Sequence, residues 1–134
     1  MDTVKINNQL LQELIQKYKL SKNEHDMVLD FLNEKLFLNS VTESNPSIMF
    51  VVGQPGCGKT TYINSENLSH YVIINSDDYR YLSKYSDEIL NKYPTSYAKL
   101  TNYDAHLWGD ELFYYVMQNR YSVLRDKLQL ILVY

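Results

Sequence analysis

A single cysteine, Cys57, stands among the 134 residues, so no disulfide can form within the chain, and that scarcity predicts a cytoplasmic protein. Long hydrophobic runs are also missing: no stretch approaches the ~20 apolar residues that a membrane span requires. The opening MDTVKINNQLLQELIQKYK mixes acidic and polar residues with its leucines and lacks an uninterrupted apolar core, which excludes a secretory signal. A basic stripe is absent as well. The 13 Lys and Arg are scattered against a net charge of −3, so the electrostatic footprint of a nucleic-acid binder is not there, and neither nucleic acid nor membrane is expected as a partner. Internal repeats and low-complexity segments do not occur. What remains is an ordinary globular composition, 45% hydrophobic and 22% charged, in a length that suits one domain with a real core. The 13 tyrosines accompany abundant Asn and Lys and read as compositional bias.

Periodicity organises the first third. Leu10, Leu11, Leu14, Ile15 and Tyr18 repeat at helical spacing and predict an amphipathic helix over residues 6–18. Ser21 and Glu24 form a capping-box pattern, SKNE, ahead of Met27, Val28, Phe31, Leu32 and Leu36, which predicts a second helix. The polar connector LNSVTESNPS follows, and Pro46 closes off any helix before it. IMFVV, residues 48–52, and HYVIIN, residues 70–75, are short runs apolar on both faces and predict buried parallel strands joined by a crossover helix starting near Gly58. Residues 76–100 read as helical in pieces, broken at Pro94. A strong helix is expected from Thr101 to Asn119, with Thr101 and Asp104 as its cap; YSVL and LQLILVY supply further strand material. The predicted fold is α/β: a P-loop NTPase-type parallel sheet of about three strands with flanking helices. It is preceded by two N-terminal helices, with residues 1–46 as a helical segment and 47–134 as the core.

Residues 53–60, GQPGCGKT, fit G-x-x-x-x-G-K-[ST] without departure, and a chance match in this length is on the order of one in a few hundred. Gly53, Gly56 and Gly58 allow the backbone to curl with its N–H groups inward, where a Cβ would obstruct phosphate oxygens. The following helix N-terminus adds partial positive charge, Lys59 reaches toward the β and γ phosphates, and the Thr60 hydroxyl suits Mg²⁺. Gln54, Pro55, Cys57 and Thr61 complete the loop, with Cys57 as filler. No guanine-reading NKxD occurs, since NKYP at 91–94 lacks the aspartate, so ATP is the expected ligand. A parallel βαβ unit would return Asp77 and Asp78 to the same end of the sheet. An acid directly after the second strand suits a phosphotransferase, in which it accepts the proton of an acceptor hydroxyl. The competing reading of SDDYR is a helix cap.

GQPGCGKTT, followed by NSDDYR and then YSDEI, resembles the zeta-toxin group of P-loop kinases, over residues 47–126. The resemblance implies transfer of the ATP γ phosphate to the 3′ hydroxyl of UDP-N-acetylglucosamine, with Asp77 as general base, Lys59 on the phosphates and Thr60 on magnesium. It also implies a cognate antitoxin as partner. Two further acids carry over: one on the helix before the third strand, where DELFYY offers Asp110 or, preferred for its apolar neighbours, Glu111, and one beyond the third strand, where VLRDK offers Asp126. The same resemblance implies about five strands and a lid bearing arginines. This chain offers three candidate strands, its only arginines are Arg80, Arg120 and Arg125, and IMFVV would be left as an apolar edge. The expectation is therefore a C-terminally truncated kinase in which LQLILVY is aberrant tail and nucleotide binding outlasts catalysis. A non-catalytic ATP-binding remnant and another small-molecule or polynucleotide kinase are the alternatives.

Overall fold

The computed structural model describes residues 6–38, 40–52 and 70–127. Helices α1 (Asn8–Tyr18) and α2 (Lys22–Phe37) precede strand β1 (Ile48–Val52). Strand β2 (Val72–Asn75) leads into a 3-10 helix (Ser76–Leu82) and then helix α3 (Ser86–Lys92). A 3-10 turn (Pro94–Ser96), helix α4 (Tyr97–Gln118) and strand β3 (Val123–Lys127) complete the order. The residues group into two compact units, Met1–Phe31 with Ser76–Asp110, and Leu32–Asn75 with Glu111–Tyr134.

The first unit is helical. Asn7 caps α1 by accepting the Leu10 N–H at 2.8 Å, and the predicted capping box of α2 is reciprocal: Ser21 Oγ accepts the Glu24 N–H at 3.2 Å while Glu24 Oε1 accepts the Ser21 N–H at 3.0 Å. Leu14 and Tyr18, one turn apart on α1, close over Ile89 of α3 and Leu100 of α4, with Leu10, Ile15, Tyr85 and Tyr97 packed around them. A polar cluster is buried beside that apolar one. His25 Nδ1 meets Asp104 Oδ1 at 2.7 Å, Asp104 Oδ2 accepts the Leu20 N–H at 3.0 Å, and Trp108 Nε1–H donates to the His25 carbonyl at 3.0 Å. The His25 and Trp108 rings stack with centroids 5.2 Å apart. These contacts fasten the α1–α2 junction to α4.

They also correct one expectation. Helix α4 starts at Tyr97, a turn before the expected Thr101, because Pro94 opens a 3-10 turn that runs straight into it. Thr101 therefore lies inside the helix, where its hydroxyl donates to the Tyr97 carbonyl at 2.7 Å, and Asp104 turns away to its distant partners. Along α4 one buried row recurs every fourth residue, at Leu100, Asp104, Trp108, Leu112 and Val116, with Thr101 and Ala105 buried beside it.

The second unit holds a three-stranded parallel sheet in the order β1-β3-β2. Among the described residues its buried apolar side chains are Leu32, Val72, Ile74, Leu112, Val116, Val123 and Leu124. Ser122 sets the strand entries: its carbonyl accepts the Val72 N–H at 2.8 Å and its hydroxyl accepts the Ser47 N–H at 3.0 Å, while Val123 N–H donates to the Ser47 carbonyl at 2.9 Å. Strand β2 is shorter than the run HYVIIN, and β3 begins two residues later than YSVL and extends through charged residues. Arg125 is buried in it, its guanidinium 5.5 Å from the centre of the Phe113 ring. Among the described residues β1 pairs on one side only, and its Ile48 and Phe50 are half exposed, so β1 is an apolar edge and not the buried strand that its apolar run alone predicts. Helix α4 ends with Arg120 at φ 61°, and Tyr121 N–H reaches back to the Val116 carbonyl at 3.4 Å, a left-handed stop that glycine would ordinarily occupy. Among the described residues no helix is long and apolar enough to cross a membrane. The segment LQLILVY lies outside the described residues.

Candidate functional site

The register of the sheet decides where the two chemically suggestive segments begin. Val52, the last residue of β1, stands opposite Lys127, and Asn75, the last residue of β2, stands opposite Asp126. All three strands run in parallel, so the chain leaves β1 toward Gly53 and leaves β2 toward Asp77 from one end of the sheet. Open parallel sheets bind their ligands at the carboxyl ends of the strands for this reason. The residues Gly53, Gln54, Pro55, Gly56, Cys57, Gly58, Lys59, Thr60 and Thr61 lie outside the described residues.

Asp77 and Asp78 occupy the first turn of the 3-10 helix, and both are exposed at its surface. Tyr79, buried in the helical unit, pins that turn. Arg80 Nη2 donates to Asp77 Oδ1 at 2.7 Å, and Nη1 of the same guanidinium donates to the Ala98 carbonyl at 2.8 Å and to Thr101 Oγ1 at 3.0 Å. The Arg80 side chain is 13% exposed and that of Asp77 46%, so the cation is the anchored member and the carboxylate the presented one.

Of the two helix acids, Asp110 is exposed and Glu111 half-buried; Glu111 sits on α4 between the fully buried Trp108 and Leu112. Asp126 is the penultimate residue of β3, within the strand, and its backbone pairs with Val51 on one side and Asn75 on the other. The backbone thus brings Asp126 beside the ends of both flanking strands. Sequence reasoning missed the part played by Arg80. Its signal was the three-residue spacing from Asp77, which puts both side chains on one face of a 3-10 turn.

The chain superimposes on a solved structure from a characterisation of the PezAT chromosomal toxin–antitoxin system of the human pathogen Streptococcus pneumoniae, with a TM-score of 0.76 and 22% identity. The match takes in 85% of this chain and 48% of that one, so the chain spans about half the length of the structure it matches. At that identity the likeness establishes the fold, a P-loop α/β architecture around a small parallel sheet. A search of curated proteins returned no match. The family model described as Zeta toxin matches residues 32–128, well over half of the chain, and takes in the sheet and the chain segments that leave its carboxyl end: the protein belongs to the zeta toxin family.

Proposed function

We propose that the protein is an ATP-dependent phosphotransferase of the zeta-toxin type, acting on the 3′ hydroxyl of UDP-N-acetylglucosamine. The observation that carries this reading is the shared exit of β1 and β2 at one end of a parallel sheet, with a complete phosphate-loop motif following the first and Asp77 following the second. Gly53 to Thr61 would wrap the phosphates of ATP with inward N–H groups, and Lys59 would neutralise charge on the β and γ phosphates. Asp77 would accept the acceptor's hydroxyl proton as its oxygen attacks the γ phosphorus. The bond to the β–γ bridging oxygen breaks, and ADP leaves. Thr60 is the residue that would hold Mg²⁺, a cation that takes oxygen donors of this kind and supplies charge neutralisation on the phosphates. Glu111 and Asp126 are the acids we assign to the acceptor side. The study of the matched structure concerns a toxin–antitoxin system, which supports an antitoxin as this protein's partner. We place this activity in the cytoplasm, where ATP and the sugar nucleotide occur.

The test is ATP consumption by the purified protein with and without UDP-N-acetylglucosamine. Acceptor-dependent turnover is expected, falling about 10²–10⁴-fold in Asp77→Asn, as for loss of a general base. Hydrolysis at the same rate without acceptor would overturn the reading. Nucleotide binding that Lys59→Ala abolishes, with no phosphorylated product, would replace it with a non-catalytic ATP-binding protein.

A further inference from the structure

We infer that Arg80 is the positioning residue of Asp77, fixing its carboxylate for proton abstraction; the inference rests on the function proposed above. An aspartate nearly half exposed in the first turn of a 3-10 helix is oriented best by a directional polar partner. Arg80 is built to supply one, because its guanidinium is itself immobilised before it touches Asp77. The buried Thr101 donates its hydroxyl proton to the Tyr97 carbonyl, which leaves its lone pairs for Arg80 Nη1. The Ala98 carbonyl takes a second bond from the same nitrogen. With one nitrogen committed to α4, the planar fork has a single orientation left, and Nη2 presents its N–H to Asp77 Oδ1.

A stabilising role alone accounts poorly for this arrangement. An ion pair with one partner exposed contributes little to stability, because water and salt screen it. Orientation is a different matter, since misplacing a reacting group by about 1 Å costs on the order of 10²-fold in rate. The chain of contacts from α4 through Arg80 converts the rigidity of a 22-residue helix into a fixed direction for one carboxylate on a short turn. Lysine would not substitute. A single ammonium lacks the flat pair of nitrogens that serves Ala98 and Thr101 on one side and Asp77 on the other.

The experiment is a double-mutant cycle on the protein in its full encoded length, measuring ATP-dependent phosphorylation of UDP-N-acetylglucosamine. Arg80→Ala is expected to lower kcat about 10–100-fold while KM for ATP and for the acceptor stays within about twofold. Arg80→Lys should recover only a small part of the loss. In an Asp77→Asn background, Arg80→Ala should cost nothing further, because a residue that acts through another has no effect once that other is gone. Thr101→Val, which leaves Arg80 and Asp77 in place but removes one anchor, should give an intermediate loss with an unchanged thermal midpoint; it serves as the readout if Arg80→Ala fails to fold. Multiplicative losses in the cycle, or full activity in Arg80→Ala or Thr101→Val, would overturn the inference. Absence of acceptor-dependent transfer by the unsubstituted protein would instead overturn the function it rests on. Transfer that needs Asp77 yet ignores Arg80 would overturn the inference alone.

Discussion

The helical unit and the sheet unit are stabilised in different ways. In the sheet unit, polar side chains act at the strand entries, as Ser122 does, while the strands themselves are held by backbone ladders and by buried aliphatic residues such as Ile74, Val123 and Leu124, which specify no unique partner. In the helical unit, specific polar contacts set the geometry: His25 with Asp104, Glu24 with Lys84, Arg80 with Asp77, Ala98 and Thr101. Directional bonds fix a side chain's orientation where apolar packing fixes only its burial. The unit that carries the candidate general base is the one whose helices are tied to one another by side-chain bonds.

The largest way to break this contrast is Asp104→Ala. It removes the carboxylate that meets His25 Nδ1 and accepts the Leu20 N–H, and it should cost about 3–5 kcal/mol in denaturant unfolding. A loss below about 1 kcal/mol would show that the polar cluster is incidental.

A smaller test falls in the sheet unit. Arg120 holds a left-handed conformation while donating to the carbonyls of Glu43 and Ser44, and the Glu43 N–H donates to the Arg120 carbonyl at 2.9 Å. Arg120→Ala keeps the unfavourable backbone and loses the side-chain bonds, so it should destabilise by about 1 kcal/mol. Arg120→Gly relieves the backbone and should restore most of that. A glycine variant less stable than the alanine variant would show that the tether to 43–44, and not the helix stop, governs this corner.

The smallest effect is one of pH. The Lys84 ammonium, followed by the Ser21 N–H and hydroxyl, holds the Glu24 carboxyl down to about 2 from an ordinary 4.5. A folded-state value below the unfolded one means that the contribution is fully present above about pH 4.5 and is lost as pH falls toward 2. Because the pair is exposed, the effect should be slight and should weaken in salt, and Glu24→Gln should flatten it. An acid profile unchanged by Glu24→Gln would remove this pair from the account.

Local signals were readable where local chemistry decides. The capping box at Ser21 and Glu24 holds both of its predicted bonds, α1 needs no more than its leucine spacing and Asn7, and IMFVV is the strand its apolar run predicts. The parallel sheet and the exit of Asp77 from its second strand also follow from local runs and the chirality of a crossover. Expectation failed where the deciding partner is far away in the chain. Thr101 and Asp104 look like a cap because serine, threonine and aspartate favour caps, yet Asp104 serves Leu20 and His25, which no window around residue 104 contains. Strand β3 was blurred by Arg125, a charge that hydropathy assigns to the surface and that an aromatic face at Phe113 shelters instead. Arg80 was visible three residues after Asp77, but its anchors at Ala98 and Thr101 belong to tertiary structure.

The central claim is that the phosphate loop and Asp77 serve one phosphoryl group. A crystal structure with Mg²⁺ and a non-hydrolysable ATP analogue tests it most directly. An acceptor oxygen about 3 Å from the carboxylate and about 3–3.5 Å from phosphorus puts an Asp77 oxygen within about 6.5 Å of the γ phosphorus. The account predicts that distance, with Arg80 still on Asp77. A nucleotide seated in the loop with its γ phosphate turned away from Asp77 would contradict it.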